Sequence, residues 1–173
     1  MVTPIQVVPA ARSDDNRVAA VWEALADVPD PEIPTISVVD LGVVHTVEFA
    51  PSGDLRVELL PTFIGCPATA VMRDAVEQRL RSLGVADQVT VEITFAESWT
   101  SDRITPAGRV RLRTSGFAPP PHIGDELPML STAACPHCGS TRTTLENAFG
   151  PTLCRAIYSC ASCHQPFEQF KPI

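Results

Sequence analysis

The chain has 173 residues, more than one average domain but fewer than two, so we expect one core of about 100 residues and a small second module. A formal net charge of -7, with Lys171 as the single lysine, gives no general attraction for nucleic acid or an anionic membrane. Residues 1–11 lack the pattern of a secretion signal, and no stretch approaches the roughly 20 apolar residues that span a bilayer, so we expect a cytoplasmic protein. Six cysteines in that compartment are typical of metal ligands or reactive thiols rather than disulfides.

The chain begins with a predicted flexible tail over residues 1–12, followed by an amphipathic helix from Asp14 to Ala26 with Ser13 as its N-cap. The apolar residues that recur there at three- and four-residue spacing are Val18, Val21, Trp22 and Leu25. Such a stripe must cover other apolar side chains, so the helix is predicted to lie against the core.

The next segment is a proline-rich loop over residues 27–34, in which three prolines exclude both a helix and a central strand. Asp30 and Glu32 are therefore expected to project from a stiff loop, as solvated carboxylates. A single helical turn follows, and Ser37 and Asp40, three residues apart, are typical of a capping pair.

Three strand-like runs and a helix define the fold class. The strands from Val43 to Phe49 and from Leu55 to Leu60 flank a segment with the residues of a hairpin loop, so they are predicted to be antiparallel. A helix with one apolar face runs from Pro67 to Leu83 and ends at Gly84, and a third strand runs from Gln88 to Phe95. This order predicts an α+β domain, a small mixed sheet covered by helices on one face.

A loop and a short helix from Pro106 to about Ser115 complete this domain, which we expect to span residues 13–117. The arginines of that helix are Arg109, Arg111 and Arg113. We interpret them as a solvated face, with a docking patch for an acidic partner as the alternative.

Cys66 lies in a glycine-containing turn between a buried strand and the helix that Pro67 opens. Free backbone N–H groups and the positive end of the helix dipole favour a negatively charged sulfur at such a position. The turn therefore predicts a sulfur that binds metal or reacts, and the alternative is that Cys66 is a small buried apolar residue.

A proline-rich linker over residues 118–131 separates this domain from a second module over residues 132–173. Two Cys-x-x-Cys motifs 21 residues apart predict a four-cysteine structural zinc site in a zinc ribbon, because about 40 residues cannot otherwise bury a sufficient core. The predicted ligands are Cys135, Cys138, Cys160 and Cys163.

Other assignments of the module are a thioredoxin-like dithiol, for which the βαβ pattern is missing, and a rubredoxin-like iron site with the same sulfurs. His137 or His164 could replace a cysteine ligand, although exposed loop histidines are commoner. Alternation places Cys154 on the face of Ala156 and Tyr158, and we interpret it as packing rather than ligation.

Four segments in the first domain together resemble the iron–sulfur assembly domain of SufT-type and cytosolic iron–sulfur targeting proteins. They are Asp30-Pro31-Glu32-Ile33-Pro34, Val39-Asp40-Leu41-Gly42-Val43-Val44, Pro61-Thr62-Phe63-Ile64-Gly65-Cys66-Pro67 and Trp99-Thr100-Ser101-Asp102-Arg103-Ile104. With the linker and the ribbon, which includes Phe149-Gly150-Pro151-Thr152-Leu153-Cys154 and Pro166-Phe167-Glu168-Gln169-Phe170-Lys171, the chain more narrowly resembles the D-subunit family of bacterial phenylacetyl-coenzyme A oxygenase (epoxidase) systems.

The resemblance implies an accessory, non-catalytic subunit that assists assembly of an iron–sulfur or di-iron centre and carries a transient cluster or iron. The reductase or the di-iron oxygenase subunits would be its partners, and a homodimer is possible. By this resemblance the residues that handle iron would be Cys66, Asp30, Glu32, Asp40, Trp99 and Thr100.

Two functions of other classes remain open. A thiol enzyme with Cys66 as nucleophile needs a base, but none of the four histidines lies in a recognisable partner motif. A zinc-ribbon module that binds nucleic acid disagrees with the acidic balance of the chain.

Overall fold

The computed structural model describes residues 11–122 and 133–172. Residues 1–10 of the predicted tail and residues 123–131 of the predicted linker lie outside this part of the chain. The first helix begins at Ala11 rather than at Asp14, so Ser13 lies inside the helix and is not its N-cap. No helix in the described part is long and apolar enough to cross a membrane.

The first unit consists of two long helices and a three-stranded sheet. Its elements are α1 (Ala11–Ala26), β1 (Val44–Phe49), β2 (Leu55–Leu59), α2 (Ala68–Leu83) and β3 (Val89–Ile93). The strand order is β1-β2-β3, with β1 antiparallel to β2 and β2 parallel to β3. The parallel pair requires a crossover, which α2 supplies between its two strands. The predicted α+β class, with a small mixed sheet, is confirmed.

The core of this unit lies between the sheet and the two helices. Leu55, Val57 and Leu59 are buried on one face of β2, whereas Arg56 between them is exposed. The helices α1 and α2 contact each other, and they also contact β1 and β3, respectively. Their fully buried side chains include Val21, Leu25, Val76 and Leu80. This follows from the 3.6-residue period of the helices and the two-residue period of the strands.

A compact corner forms where the turn at residues 37–42 meets α3 (Pro106–Thr114). Ser37 Oγ accepts a hydrogen bond of 3.0 Å from the Asp40 amide, as the predicted capping pair requires. Arg111 Nη1 lies 2.5 Å from Asp40 Oδ2, and Arg109 donates to two backbone carbonyls, at 2.5 Å and 2.9 Å. The prediction of a solvated face is therefore wrong for Arg109, whose side chain is only 15% exposed, and holds for Arg113. Arg111 is exposed as well, but it also pairs with Asp40 across the corner.

The second unit is a four-stranded sheet whose hairpin carries the cysteine motifs. Its strands, in the spatial order β4-β7-β6-β5, are β4 (Phe117–Ala118), β7 (Pro166–Phe170), β6 (Arg155–Cys160) and β5 (Thr143–Asn147). Stacked rings of Tyr158 and Phe167, with centroids 5.6 Å apart, form its small core. Because β4 pairs with β7, the polypeptide passes into the ribbon sheet at Phe117, one residue before the predicted start of the linker.

Gly108 in α3 offers a test of the corner. A Cβ atom added there would lie 2.6 Å from the Asp40 carbonyl oxygen, closer than such atoms can approach. Alanine in place of a helical glycine normally adds up to about 1 kcal/mol of stability, but overpacking costs about 1–3 kcal/mol. We therefore expect Gly108→Ala to lower the free energy of unfolding, measured by urea titration. The exposed neighbour Ala107 provides the control, since Ala107→Ser should leave the unfolding midpoint nearly unchanged; a Gly108→Ala protein as stable as the wild type would contradict this packing.

Candidate functional site

The turn that carries Cys66 has the shape that the sequence predicts. Gly65 adopts a φ of 82°, a left-handed conformation that glycine takes at no steric cost. The Cys66 amide donates to the Phe63 carbonyl at 3.1 Å, and the Cys66 carbonyl accepts from the Thr69 amide at 3.2 Å. Helix α2 begins at Ala68, one residue later than predicted, and the sulfur-bearing residue just before it is half-buried.

Cys66 lines a cavity of about 170 Å³ between the two units of the chain. One wall is the turn at residues 63–67, and the other is the ribbon loop at residues 150–154, whose last residue is Cys154. The structure therefore brings two free cysteines, from different units, to one cavity.

Cys154 differs from its predicted position. It lies just before β6 and is buried in the core of the first unit, whereas Ala156 and Tyr158 belong to the ribbon core. The two-residue alternation does not extend to Cys154, because the residue precedes the strand. Burial raises the pKa of the Cys154 thiol, and negative charges on Cys66 and Glu32 raise it further. A hydrogen bond with the Thr152 hydroxyl and the positive charge of Arg155 lower the pKa in part.

Asp30 is buried rather than solvated. Its carboxylate accepts hydrogen bonds from the amides of Glu32 and Ile33, at 2.9 Å and 2.8 Å, and so closes its own turn. Burial raises the pKa of Asp30, although these two hydrogen bonds and the charge of Arg155 lower it in part. Asp30 therefore shapes the loop and keeps Glu32 in place.

Glu32 forms the polar link between the two units. Its carboxylate lies 3.3 Å from Arg155 Nη2, while Arg155 Nη1 lies 3.0 Å from Glu168. The Arg155 side chain is only 8% exposed, so its charge must be compensated inside the protein. This pairing sets Glu32 beside the ribbon loop that carries Cys154.

Asp40 and Trp99 have structural partners of their own. The Asp40 carboxylate accepts from the hydroxyls of Ser37 and Thr105, at 3.1 Å and 3.2 Å, in addition to its pairing with Arg111. The buried Trp99 indole donates to the Leu41 carbonyl at 3.0 Å. Neither Asp40 nor Trp99 lines the cavity at Cys66.

A second groove of about 520 Å³ lies on the other side of the Cys66 turn. Trp99 and Thr100 line it together with Phe63, which also lines the Cys66 cavity. Of the six residues that the resemblance assigns to iron, Cys66 shares a cavity with Cys154, and Glu32 pairs with Arg155, the residue after Cys154. The others lie in the supporting loops or in this second groove.

The four predicted zinc ligands converge at one end of the ribbon. Their sulfur atoms all lie within 4.8 Å of one another, with 3.7 Å between Cys135 and Cys163 and 3.6 Å between Cys138 and Cys160. Zinc–sulfur bonds of about 2.3 Å at tetrahedral angles place sulfurs about 3.8 Å apart, so the cluster fits a zinc ion. His137 and His164 are not in this group, which is the only metal-sized group of ligands found among the described residues.

The sulfurs also need a cation for electrostatic reasons. Backbone hydrogen bonds from Cys163 and Ser162 lower the pKa of Cys160 to about 6. The Gln165 amide lowers the pKa of Cys163, but desolvation and the surrounding sulfurs outweigh it and bring the value to about 12. Close thiols titrate as a unit, so the four cannot all ionise without a compensating positive charge.

Loss of one sulfur should empty this cluster. We expect Cys135→Ser and Cys163→Ser each to lose zinc and to unfold the ribbon, because zinc binding supplies the folding free energy of such modules. Zinc per chain, measured by inductively coupled plasma mass spectrometry, checks the first effect, and limited proteolysis checks the second.

His164→Asn is the matched control for these variants. His164 has a positive φ of 59°, which asparagine tolerates, so this variant should keep its zinc. Full zinc retention in both cysteine variants would contradict the ligand assignment.

Known protein families resemble each of the two units of the chain. The family model described as "Iron-sulfur cluster assembly protein" matches residues 18–93, and that described as "PaaD zinc beta ribbon domain" matches residues 121–171. A crystal structure of the domain of unknown function DUF59 from Bacillus anthracis superimposes with a TM-score of 0.55 at 22% identity, over 59% of this chain and 96% of that one. At this identity the likeness shows the fold alone.

Two curated relatives extend the comparison. A "Fe-S protein maturation auxiliary factor" of Porphyromonas gingivalis is 30% identical over 88 residues, which are 51% of this chain and 83% of that protein. The Escherichia coli protein named as the D subunit of a "Putative 1,2-phenylacetyl-CoA epoxidase" is 38% identical over 157 residues, or 91% of this chain and 94% of its own length. The chain therefore belongs to the family of phenylacetyl-CoA epoxidase D subunits, in which an iron–sulfur assembly domain precedes a zinc ribbon.

Proposed function

We propose that this protein is a cytoplasmic accessory subunit of a phenylacetyl-CoA epoxidase system in aerobic phenylacetate degradation, and that it delivers iron or an iron–sulfur cluster to a partner protein. The observation that carries the proposal is the half-buried Cys66 thiol, held by a tight turn at the edge of a cavity. The family model described as "Iron-sulfur cluster assembly protein" spans the unit that holds this turn.

In this proposal, Cys66 binds iron or an iron–sulfur cluster reversibly. A thiolate is a soft ligand that suits iron and iron–sulfur clusters, and the thiol releases its proton to water as the sulfur–iron bond forms. The turn fixes the sulfur through its two backbone hydrogen bonds, so little ordering is needed on binding. Because Cys66 is only half-buried, an acceptor protein can approach it.

The ribbon has a different task in this proposal. Cys135, Cys138, Cys160 and Cys163 hold a structural zinc ion and so keep β6 and its preceding loop in shape. Zinc has no redox chemistry of its own and sits in a closed set of four sulfurs, which suits a structural rather than a transfer site.

The surroundings of Cys66 support transfer over catalysis by a thiol enzyme. A nucleophilic cysteine needs a base within hydrogen-bonding distance. No histidine lines the cavity: His45 lies 3.0 Å from Glu97, and His122 lies 3.0 Å from Asp102. The remaining two histidines belong to the ribbon knuckles.

A partner surface adjoins the Cys66 turn. The large apolar side chains of Phe63, Ile64 and Phe95 are 40%, 78% and 64% exposed, and all three line the second groove. Exposed apolar groups clustered in this way are typical of protein contacts. We propose that the reductase or the di-iron oxygenase binds here; light scattering of the purified protein would show whether a second copy does so instead.

Cys66→Ser tests the proposal. We expect a folded protein with one zinc ion per chain that no longer retains iron after anaerobic loading, because a serine hydroxyl is a poor ligand for iron. In a deletion strain, the variant should fail to restore growth on phenylacetate. Iron and zinc per chain, a thermal melt and the growth rate are the measurements.

Val110→Ser is the control for these measurements. Val110 is 63% exposed on α3 and lies in neither the Cys66 cavity nor the second groove, so its replacement should change none of them. Wild-type iron retention and growth with Cys66→Ser would overturn the proposal.

A further inference from the structure

The ribbon contributes a second thiol to the cavity at Cys66. Cys154 is 5% exposed and lies outside the four-sulfur zinc cluster. Cys66 and Cys154 line opposite walls of the same cavity, and the charge of Cys66 adds to the burial that raises the pKa of Cys154.

The loop that carries Cys154 is tied at three points. The Lys171 amide donates to the Cys154 carbonyl at 2.9 Å, and the Arg155 amide donates to the Thr152 carbonyl at 3.1 Å. The Gly150 amide donates to the Arg155 carbonyl at 2.8 Å, and a Cβ atom on this glycine would lie 3.2 Å from Arg155. Because the backbone on both sides is fixed, Cys154 presents its sulfur in a defined place.

Contacts with the first unit fix the direction of this loop. Arg155 pairs with Glu32 across the boundary and donates to the Thr152 hydroxyl at 2.8 Å. The Thr152 hydroxyl lies 3.3 Å from the Cys154 sulfur, which links the ion pair to the thiol. The position of Cys154 therefore depends on docking between the two units.

We propose that Cys154 is the second thiolate ligand of the iron cargo at Cys66, so that the cargo site is shared between the assembly-like unit and the ribbon. This inference rests on the proposed function of Cys66. The cavity of about 170 Å³ has room for an iron ion with further ligands, since one water takes about 30 Å³ in the liquid.

Charge explains why two sulfurs suit the cavity better than one. A ferrous ion carries two positive charges, and one thiolate would leave a net positive charge next to the buried Cys154, where an uncompensated charge is costly. With two thiolates the centre is neutral. Each thiol releases one proton to solvent as its sulfur–iron bond forms, and iron keeps its oxidation state.

Anaerobic cobalt titration of the full, zinc-loaded protein tests the inference. Co²⁺ stands in for Fe²⁺, and its thiolate charge-transfer absorption reports the number of sulfur ligands. We expect Cys154→Ser and Cys154→Ala each to lose about half of the charge-transfer intensity and to bind cobalt at least about tenfold more weakly, because a soft ligand is lost. Both should keep one zinc ion per chain, since Cys154 lies outside the zinc cluster.

Phe149→Leu is the matched control, because Phe149 immediately precedes the same loop, is 62% exposed and does not line the cavity. Its titration should equal that of the wild type. One outcome would overturn the shared site and leave the proposed function of Cys66 in place. In that outcome both Cys154 variants bind cobalt as the wild type does, whereas Cys66→Ser does not. If Cys66→Ser binds cobalt normally, the proposed function itself fails.

A second measurement does not depend on the folding of any variant. The zinc-loaded wild-type protein is treated with dibromobimane, which becomes fluorescent when it bridges two close thiols, with and without Fe²⁺. We expect mass spectrometry to find Cys66 and Cys154 bridged in the absence of iron and protected in its presence. Alkylation of Cys154 at the same rate with and without iron would overturn the inference.

Discussion

The arrangement of this protein depends on one buried cation. Arg155 has a side chain that is 8% exposed, and it lies between Glu32 of the first unit and Glu168 of the ribbon, at 3.3 Å and 3.0 Å. Its guanidinium also lies over the Phe117 ring, 5.6 Å from the centroid. Removal of one partner from a buried charge costs several kcal/mol, about 3–5 in measured cases, so this pairing couples the position of the ribbon to the proline-rich loop. The cavity at Cys66 exists because that docking brings two loops face to face.

The carboxylates of the first unit illustrate how similar residues take different tasks. Asp40 is saturated by two hydroxyls and Arg111, so it holds the corner between the turn and α3. Asp30 accepts two backbone amides within its own turn, and burial raises its pKa. Glu32 faces the ribbon and pairs with its arginine. The Glu32 carboxylate is thereby held beside Arg155, the residue that follows Cys154.

The two groups of cysteines differ in the same way. Four sulfurs within 4.8 Å of one another form a closed set that suits a permanent ion, and the ionisation of one suppresses that of its neighbours until a cation binds. Cys66 and Cys154 instead flank a cavity, with one sulfur half-buried and the other within the core. A complete set of four ligands exchanges its ion slowly, whereas two ligands at a cavity leave coordination positions open for exchange.

The sequence by itself determined the features that depend on local periodicity and spacing. The strands, the helix after Cys66, the glycine turns and the two Cys-x-x-Cys motifs follow from alternation, φ preferences and ligand geometry within a few residues. The tertiary structure decided what depends on contacts between distant segments. Arg109 and Arg111 looked like a solvated face because periodicity does not show that Arg109 donates to the Ser101 carbonyl or that Arg111 pairs with Asp40, 71 residues away in the chain. Cys154 looked like part of the ribbon core because alternation carries no information on which unit a loop meets, and only docking through Arg155 and Glu32, which are 123 residues apart, places its thiol opposite Cys66.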